Sequence, residues 1–248
     1  MNKSFAHTNN FNPISLNEMD GVKLMNRSDT KFTFSSEKLP SLFENLIPFY
    51  NVLEIDGKRI HSYRSLYFDT NDRKFYNDHH NRRVNRHKIR FREYEDSGLV
   101  FLEVKCKNNK GKTIKKRLKV DKIPTKLSND HKSYVEKIMG YSLSVLPKQW
   151  INFRRITLVH KILKERLTID VNLNFSENEV NGDLSKIAIA EVKQERMSRT
   201  SDFIRIAKEM KIYPMRLSKY CFTTMQLDDS IKRNRFKEKQ IFINKIIN

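Results

Sequence analysis

Arg86, Lys88, Arg90 and Arg92 occupy every second position of the string RHKIRFREY (86–94), with Ile89 and Phe91 between them. On a β-strand successive side chains point to opposite faces, so this spacing gathers cations on one side and apolar groups on the other. Two following segments repeat the arrangement. VFLEVKCK sets Glu103, Lys105 and Lys107 against Val100, Leu102, Val104 and Cys106, and TIKKRLKV sets Thr113, Lys115, Arg117 and Lys119 against Ile114, Lys116, Leu118 and Val120. The pattern continues more sparsely in Arg27, Asp29, Lys31 and Thr33, in Arg155, in Arg166 with Asp170, and in Glu191 with Lys193. Guanidinium groups make forked contacts to phosphate oxygens, and ammonium groups act as point charges. Isolated carboxylates among such cations can hold Mg²⁺ or Mn²⁺ through oxygen. The matching ligand is a linear polyanion with a divalent metal, either a triphosphate or a phosphate chain.

These residues need strands to align them. The separators DSG (96–98) and NNKG (108–111) are turn chemistry, which predicts an antiparallel meander over 86–120. A strand is expected over 22–34, a helix over 35–47 with Ser36 as N-cap, and a hairpin over 51–70 turning at Asp56-Gly57. A short helical excursion at 71–80 leads into the meander, and Gly140 ends a helix over 131–140. Residues 149–159 and 165–175 form a second antiparallel pair, followed by a strand over 186–196, a helix over 200–210 and a last short element after PMRLSKYCF. Directly opposed like charges destabilise a sheet, so a solvated cationic face explains the pattern poorly. The expectation is an α+β fold: a closed, antiparallel eight-stranded β-barrel or tunnel, flanked by helices, with a polar cationic lumen filled by water or an anion. The domain reading is a polar N-terminal segment or short helix (1–20), the tunnel domain (21–227) and a basic amphipathic C-terminal tail (228–248).

The chain of 248 residues is long enough for a sizeable core, and its net charge of +20 favours anionic partners: nucleic acid, an anionic membrane or a polyphosphorylated ligand. Cys106 and Cys221 are too few for a disulfide framework and lack metal spacing. No apolar leader and no run of 18 apolar residues are present, so a cytoplasmic location is expected, with any membrane association made through a partner the chain does not encode. His79-His80 reads as surface. Nucleic acid is not expected: Phe91 alternates away from the arginines, and Glu103 and Glu191 would oppose such a ligand.

The strings RSDTKF (27–32), SLYFDT (65–70), KIRFREY (88–94), FLEVKCK (101–107), IKKRLKV (114–120), NFRR (152–155), RLTIDVNLNF (166–175), AEVKQE (190–195) and RLSKY (216–220) follow the order found in VTC-type polyphosphate polymerase domains. The chain resembles that family, part of the triphosphate tunnel metalloenzyme superfamily, from about residue 15 to residue 227. The resemblance implies an eight-stranded antiparallel tunnel that uses ATP and inorganic polyphosphate with Mn²⁺ or Mg²⁺. It implies that Lys31 contacts nucleotide phosphates at the entrance. Arg90 with Arg92 match an Arg-x-Arg pair, Lys105 follows the Glu-x-Lys glutamate Glu103, and Lys115 with Arg117 match a Lys-x-Arg strand. Arg155 and Arg166 match arginines of the later hairpin, and Glu191 the metal-binding glutamate. Ser218 and Lys219 match a Ser-Lys pair whose lysine lies beside the transferred phosphoryl group.

Lys219, Arg90, Arg92 and Arg155 are thus the catalytic candidates. Lys31, Arg27, Lys88, Lys105, Lys115, Arg117, Arg166, Lys193 and Ser218 are candidates for phosphate or nucleotide binding, and Glu191 and Glu103 for the metal. The first strand departs from the wider superfamily, reading Arg-x-Asp-x-Lys where Glu-x-Glu-x-Lys is usual. Arg27 cannot ligate a metal, which concentrates that expectation on Glu191. The implied activity is transfer of the γ-phosphoryl group of ATP to a growing phosphate chain. Two alternatives stand beside it: a tunnel triphosphatase or polyphosphatase with water as acceptor, and a non-catalytic polyanion-binding or nucleic-acid-binding protein.

Overall fold

A computed structural model of the chain describes residues 3–20, 28–110, 113–195 and 200–247. The strands are β1 (Asn12–Ile14), β2 (Ser28–Ser35), β3 (Tyr50–Leu53), β4 (Ile60–Asp69), β5 (Arg86–Tyr94), β6 (Leu99–Lys107), β7 (Thr113–Val120), β8 (Leu146–His160), β9 (Glu165–Glu177), β10 (Val180–Leu184) and β11 (Ile187–Gln194). The helices are α1 (Leu16–Asp20), α2 (Leu39–Leu46), α3 (Lys74–His80), α4 (Asn129–Met139), α5 (Asp202–Glu209), α6 (Lys219–Leu227) and α7 (Lys237–Ile247). All strands belong to one sheet, whose main path runs β2-β11-β9-β8-β4-β5-β6-β7.

The expected closed barrel is not found: β2 and β7 end the path and do not pair with each other among the described residues. β7 carries Lys115, Arg117 and Lys119 on one face and Lys116 on the other, and its first five residues are exposed. A strand charged on both faces resists further pairing, the usual protection of a sheet edge. The sheet is nevertheless strongly curled. Six strand spacings separate β2 from β6 along the path, which in a flat sheet would be about 29 Å. Yet the charge of Lys31 on β2 bears on Lys105 of β6, an influence that water would screen away over such a distance. The cationic face is therefore concave, a groove rather than a closed tunnel.

The convex face packs on helices. One core joins Phe32, Phe34, Ile156, Leu167, Ile169 and Ala190 to α2 and α5, and another joins Leu66, Phe68, Ile89, Phe91 and Leu102 to α4. In α2 the buried side chains are Leu39, Leu42, Phe43 and Leu46, the spacing of one helical face. The cap lies one residue earlier than expected: the Glu37 amide donates to Ser35 Oγ at 3.3 Å and opens a 3₁₀ turn before α2. Gly140 ends α4 at φ 81°, as expected.

The hairpin expected over 51–70 is a different structure. Asp56 and Gly57 do turn the chain, at φ 49° and 72°, but β3 and β4 do not pair beyond the Ile55–Lys58 bridge. Both lie on the same side of the 15-residue β8, β4 opposite Leu146–Ile156 and β3 opposite Leu158–His160. The length of β8 decides this, because one long strand offers two partners end to end.

At one end the concave face is apolar rather than charged. The β8–β9 register shifts between Asn152 and Arg154, where Asn172 takes φ 51°. The extra residue turns Leu173 and Phe175 onto the face that carries Asp170. There they join Ile151, Phe153, Leu217, Tyr220 and Phe222 in a third core, and α6 fills that end of the groove. Ile243 of α7 is buried in the same core, so the basic tail packs on the domain. No helix among the described residues is long and apolar enough to cross a membrane.

Candidate active site

Antiparallel pairing puts directly opposed residues on one face, so register alone assembles most of the groove. Lys31 opposes Glu191, Asp29 opposes Lys193, and Lys193 opposes Arg166. Asp170 opposes Arg155. Across the meander Arg90 opposes Glu103, Glu103 opposes Arg117, Lys88 opposes Lys105, and Lys105 opposes Lys115. Of the expected site residues, Arg27 lies outside the described residues, and the others share this face or the N-terminus of α6.

Three carboxylates each neutralise two cations. Glu103, 2% exposed, accepts from Arg90 Nε and Nη2 at 2.7 and 2.6 Å and pairs with Lys115. Asp170 takes a forked contact from Arg155, Nε to Oδ1 at 2.6 Å and Nη2 to Oδ2 at 2.8 Å, and also binds Lys219. Glu191 lies 2.6 Å from Lys31 and 3.1 Å from Lys193. Burial favours the neutral acid in each case, but the adjacent cations outweigh it and hold all three well below the usual carboxylate range.

The remaining cations, and Lys193 within the Glu191 pair, are balanced less fully. Arg92 is 5% exposed, donates to Ser65 Oγ at 3.1 Å, and makes no ion pair among the described residues. Burial and the charge of Arg90 lower it to about 10. Lys88 donates to Ser218 Oγ at 2.7 Å. Lys193 is pushed down to about 8 by burial, which the Glu191 charge opposes and those of Arg155 and Lys31 reinforce. Desolvation and the charges of Lys88 and Lys31 also lower Lys105, a shift that the residue's overall exposure moderates. Arg117 stands over the Phe101 ring, 4.8 Å from its centroid.

Lys219 owes its place to α6. Ser218 caps that helix, accepting from the Cys221 amide at 3.3 Å. The same turn is tethered from β4: buried Asp69, which accepts the Phe75 and Tyr76 amides of α3 at 2.8 and 3.0 Å, also accepts the Tyr220 hydroxyl. Gln149 donates to the Tyr220 carbonyl at 3.2 Å. The preceding segment is pinned to β2 by the Met215 amide, which donates to the Lys31 carbonyl at 2.8 Å.

Several groove residues carried no expected role. Tyr67 accepts from Arg90 Nη1 at 2.6 Å and stacks on Tyr220; burial raises its pKa, but the charges of Arg90, Arg92 and Lys88 prevail and bring it to about 8. Tyr63 stacks on Phe153, and His61 lies opposite Arg155. The alternation that marks the arginines also marks these, since His61, Tyr63, Ser65, Tyr67 and Asp69 occupy alternate positions. That signal is weaker because the residue types differ.

The residues offer a divalent metal no all-protein cage, since no three His, Cys, Asp or Glu among the described residues come together. Magnesium-like ions bind through one or two carboxylates plus substrate phosphates, and Glu191 fits that role: it stays ionised and its side chain is 19% exposed. Glu103, nearly inaccessible, serves as the counter-charge of Arg90 and Lys115.

The sequence model of the VTC domain matches residues 26–227. No curated protein matches significantly. Among solved structures, a candidate adenylyl cyclase from Hippeastrum with a dominant triphosphatase activity is 16% identical, covering 81% of this chain and 96% of its own at a TM-score of 0.46. A candidate adenylate cyclase from Vibrio parahaemolyticus is 10% identical over 79% of this chain and 97% of its own, TM-score 0.45. The PH1012 protein of Pyrococcus horikoshii is 11% identical over 79% and 98%, TM-score 0.43.

Proposed function

The chain belongs to the VTC domain family over residues 26–227, and from that premise we propose that it is an ATP-dependent polyphosphate polymerase. The observation that carries the reading is the uneven charge balance of the groove. Among the described residues Arg92 is buried without a carboxylate partner, and half-buried Lys88 meets only a hydroxyl, beside three carboxylates that each pair with two other cations. Buried cations of this kind call for an anion.

In the proposed reaction the terminal phosphate oxygen of a chain attacks the γ-phosphorus of ATP. The bond from that phosphorus to the β–γ bridging oxygen breaks, ADP leaves, and the chain is one phosphate longer. The nucleophile is already an anion, so no base need take a proton. The chain's own residues position the two phosphates and share the developing charge. Arg90, Arg92, Arg155 and Lys219 surround the transferred group. Lys31, Lys88, Lys105, Lys115, Arg117, Arg166 and Lys193, with Ser218, line the path of the remaining phosphates. A divalent metal held by Glu191 would neutralise phosphate oxygens.

One observation favours a second reading, hydrolysis. His61 is 7% exposed, lies opposite Arg155, and its Nε2 has no partner among the described residues; such a nitrogen could activate water. A single assay separates the readings. The purified protein is incubated with ATP and Mn²⁺ or Mg²⁺, beside Lys219→Ala and His61→Gln, and products are resolved by phosphate-chain length. A ladder with ADP, lost in Lys219→Ala and kept in His61→Gln, is the expected result. Free phosphate without chains, lost in His61→Gln, would overturn the polymerase in favour of the hydrolase.

A further inference from the structure

Phe153 and Tyr63 are stacked, with centroids 5.2 Å apart and planes 3° from parallel. Three cations surround this pair. The Arg92 guanidinium is 5.4 Å from the Tyr63 centroid and 5.3 Å from that of Phe153. The Arg155 guanidinium is 5.1 and 5.4 Å from the same two, and Lys219 Nζ is 4.6 Å from Phe153. All three groups come from different elements, β5, β8 and the start of α6, and each repels the others.

We propose that the Tyr63–Phe153 pair positions the phosphate-binding cations, using its ring faces to hold Arg92, Arg155 and Lys219 around the place of one phosphoryl group. The inference rests on the phosphate-site reading and deepens it. Aromatic faces carry negative quadrupole density and attract cations. A carboxylate at this position would hold the cations more tightly, but it would also repel the incoming phosphate and occupy the donors that phosphate needs. Rings offset part of the mutual repulsion without occupying the N–H groups that Asp170 and Ser65 leave over. Arg92 shows the need most plainly: Ser65 Oγ is its one hydrogen-bond partner among the described residues, the charges of Arg90 and Arg155 disfavour its own, and the rings flank it. The shift in β8–β9 register beside Phe153 places the ring at the boundary between the apolar plug and the charged groove. Phe153 and Tyr63 are therefore positioning residues: they touch the groups that touch the phosphate.

The test measures binding of inorganic tripolyphosphate by calorimetry, without metal and without turnover, on the full chain. The expected results are a loss of about tenfold in affinity for Phe153→Leu and for Tyr63→Leu, and retention within about threefold for Phe153→Tyr and Tyr63→Phe, which keep the faces. A trifluorinated phenylalanine at position 153 preserves shape while draining the ring face, and it should weaken binding several-fold with an unchanged urea midpoint. A packing role alone would lower the midpoint of the leucine variants and leave the fluorinated protein's affinity at the wild-type value, which would overturn the inference. Wild-type protein that fails to bind tripolyphosphate would sink the phosphate-site reading itself, and this inference with it.

Discussion

Lys193 is an ammonium group held near its titration point. Burial, opposed by Glu191 and aided by Arg155 and Lys31, brings it to about 8 from an ordinary 10.5. The sign of its effect on folding follows: between those values the unfolded chain holds a proton that the folded chain lacks, so the unliganded protein gains stability as pH rises from about 8 to 10.5. Anion binding runs the other way, because it requires the charged form. Tripolyphosphate affinity should fall as pH rises through about 8, and Lys193→Met should remove that increment relative to wild type in calorimetric titrations. Asp170 is the second residue whose role is sharply testable. Its carboxylate neutralises both Arg155 and Lys219, and Asp170→Asn leaves two partly buried cations without that counter-charge. Urea denaturation should show a loss of about 3–5 kcal/mol, as for a broken buried pair, and added tripolyphosphate should restore part of it. A variant as stable as wild type would show that the two cations are well solvated.

Helix α6 is the element that makes the site discontinuous in sequence. It brings Lys219 from the far end of the chain to Asp170 on β9, and its Tyr220 hydroxyl is bound to Asp69 of β4. Burial raises the Asp69 carboxyl, partly offset by the Tyr220 hydroxyl and the amides of Phe75 and Tyr76. Removing one partner with Tyr220→Phe should cost about 1–3 kcal/mol. Because the anchor sets the helix that carries Lys219, turnover should fall more than affinity for tripolyphosphate. Equal losses would separate the anchor from catalysis. In β9, Asn172 at φ 51° turns Leu173 and Phe175 toward the plug. Asn and Gly tolerate that backbone and β-branched residues do not. Asn172→Gly should therefore be nearly neutral by urea denaturation, while Asn172→Val should lose about 1–2 kcal/mol.

At the scale of the molecule, curvature gathers part of the net charge of +20 into one groove, which should make anion binding strongly salt-dependent. Lys115 and Lys116 are adjacent on β7 but face opposite sides, Lys115 opposite Lys105 and Lys116 opposite Val104. Neutralising Lys115 with Met should flatten the dependence of tripolyphosphate affinity on salt, and Lys116→Met should leave it near wild type. Equal effects would mean that overall charge, not the groove, attracts the ligand.

The strand periods were legible in the sequence because the side-chain alternation of a strand is local. RHKIRFREY, FLEVKCK and IKKRLKV name their own faces, and pairing them in sequence order needs only their turns. Helix α4, with its Gly140 stop, was legible for the same reason. What the tertiary structure decided depends on partners distant in sequence. The openness of the sheet rests on whether β7 meets β2, the end-to-end placement of β3 and β4 rests on the length of β8, and the apolar plug rests on one extra residue in β9. The cations could be read one by one; that Glu103, Asp170 and Glu191 would each bind two of them, and that a stacked ring pair would gather three of them, follows from register and curvature, which no single stretch of chain encodes.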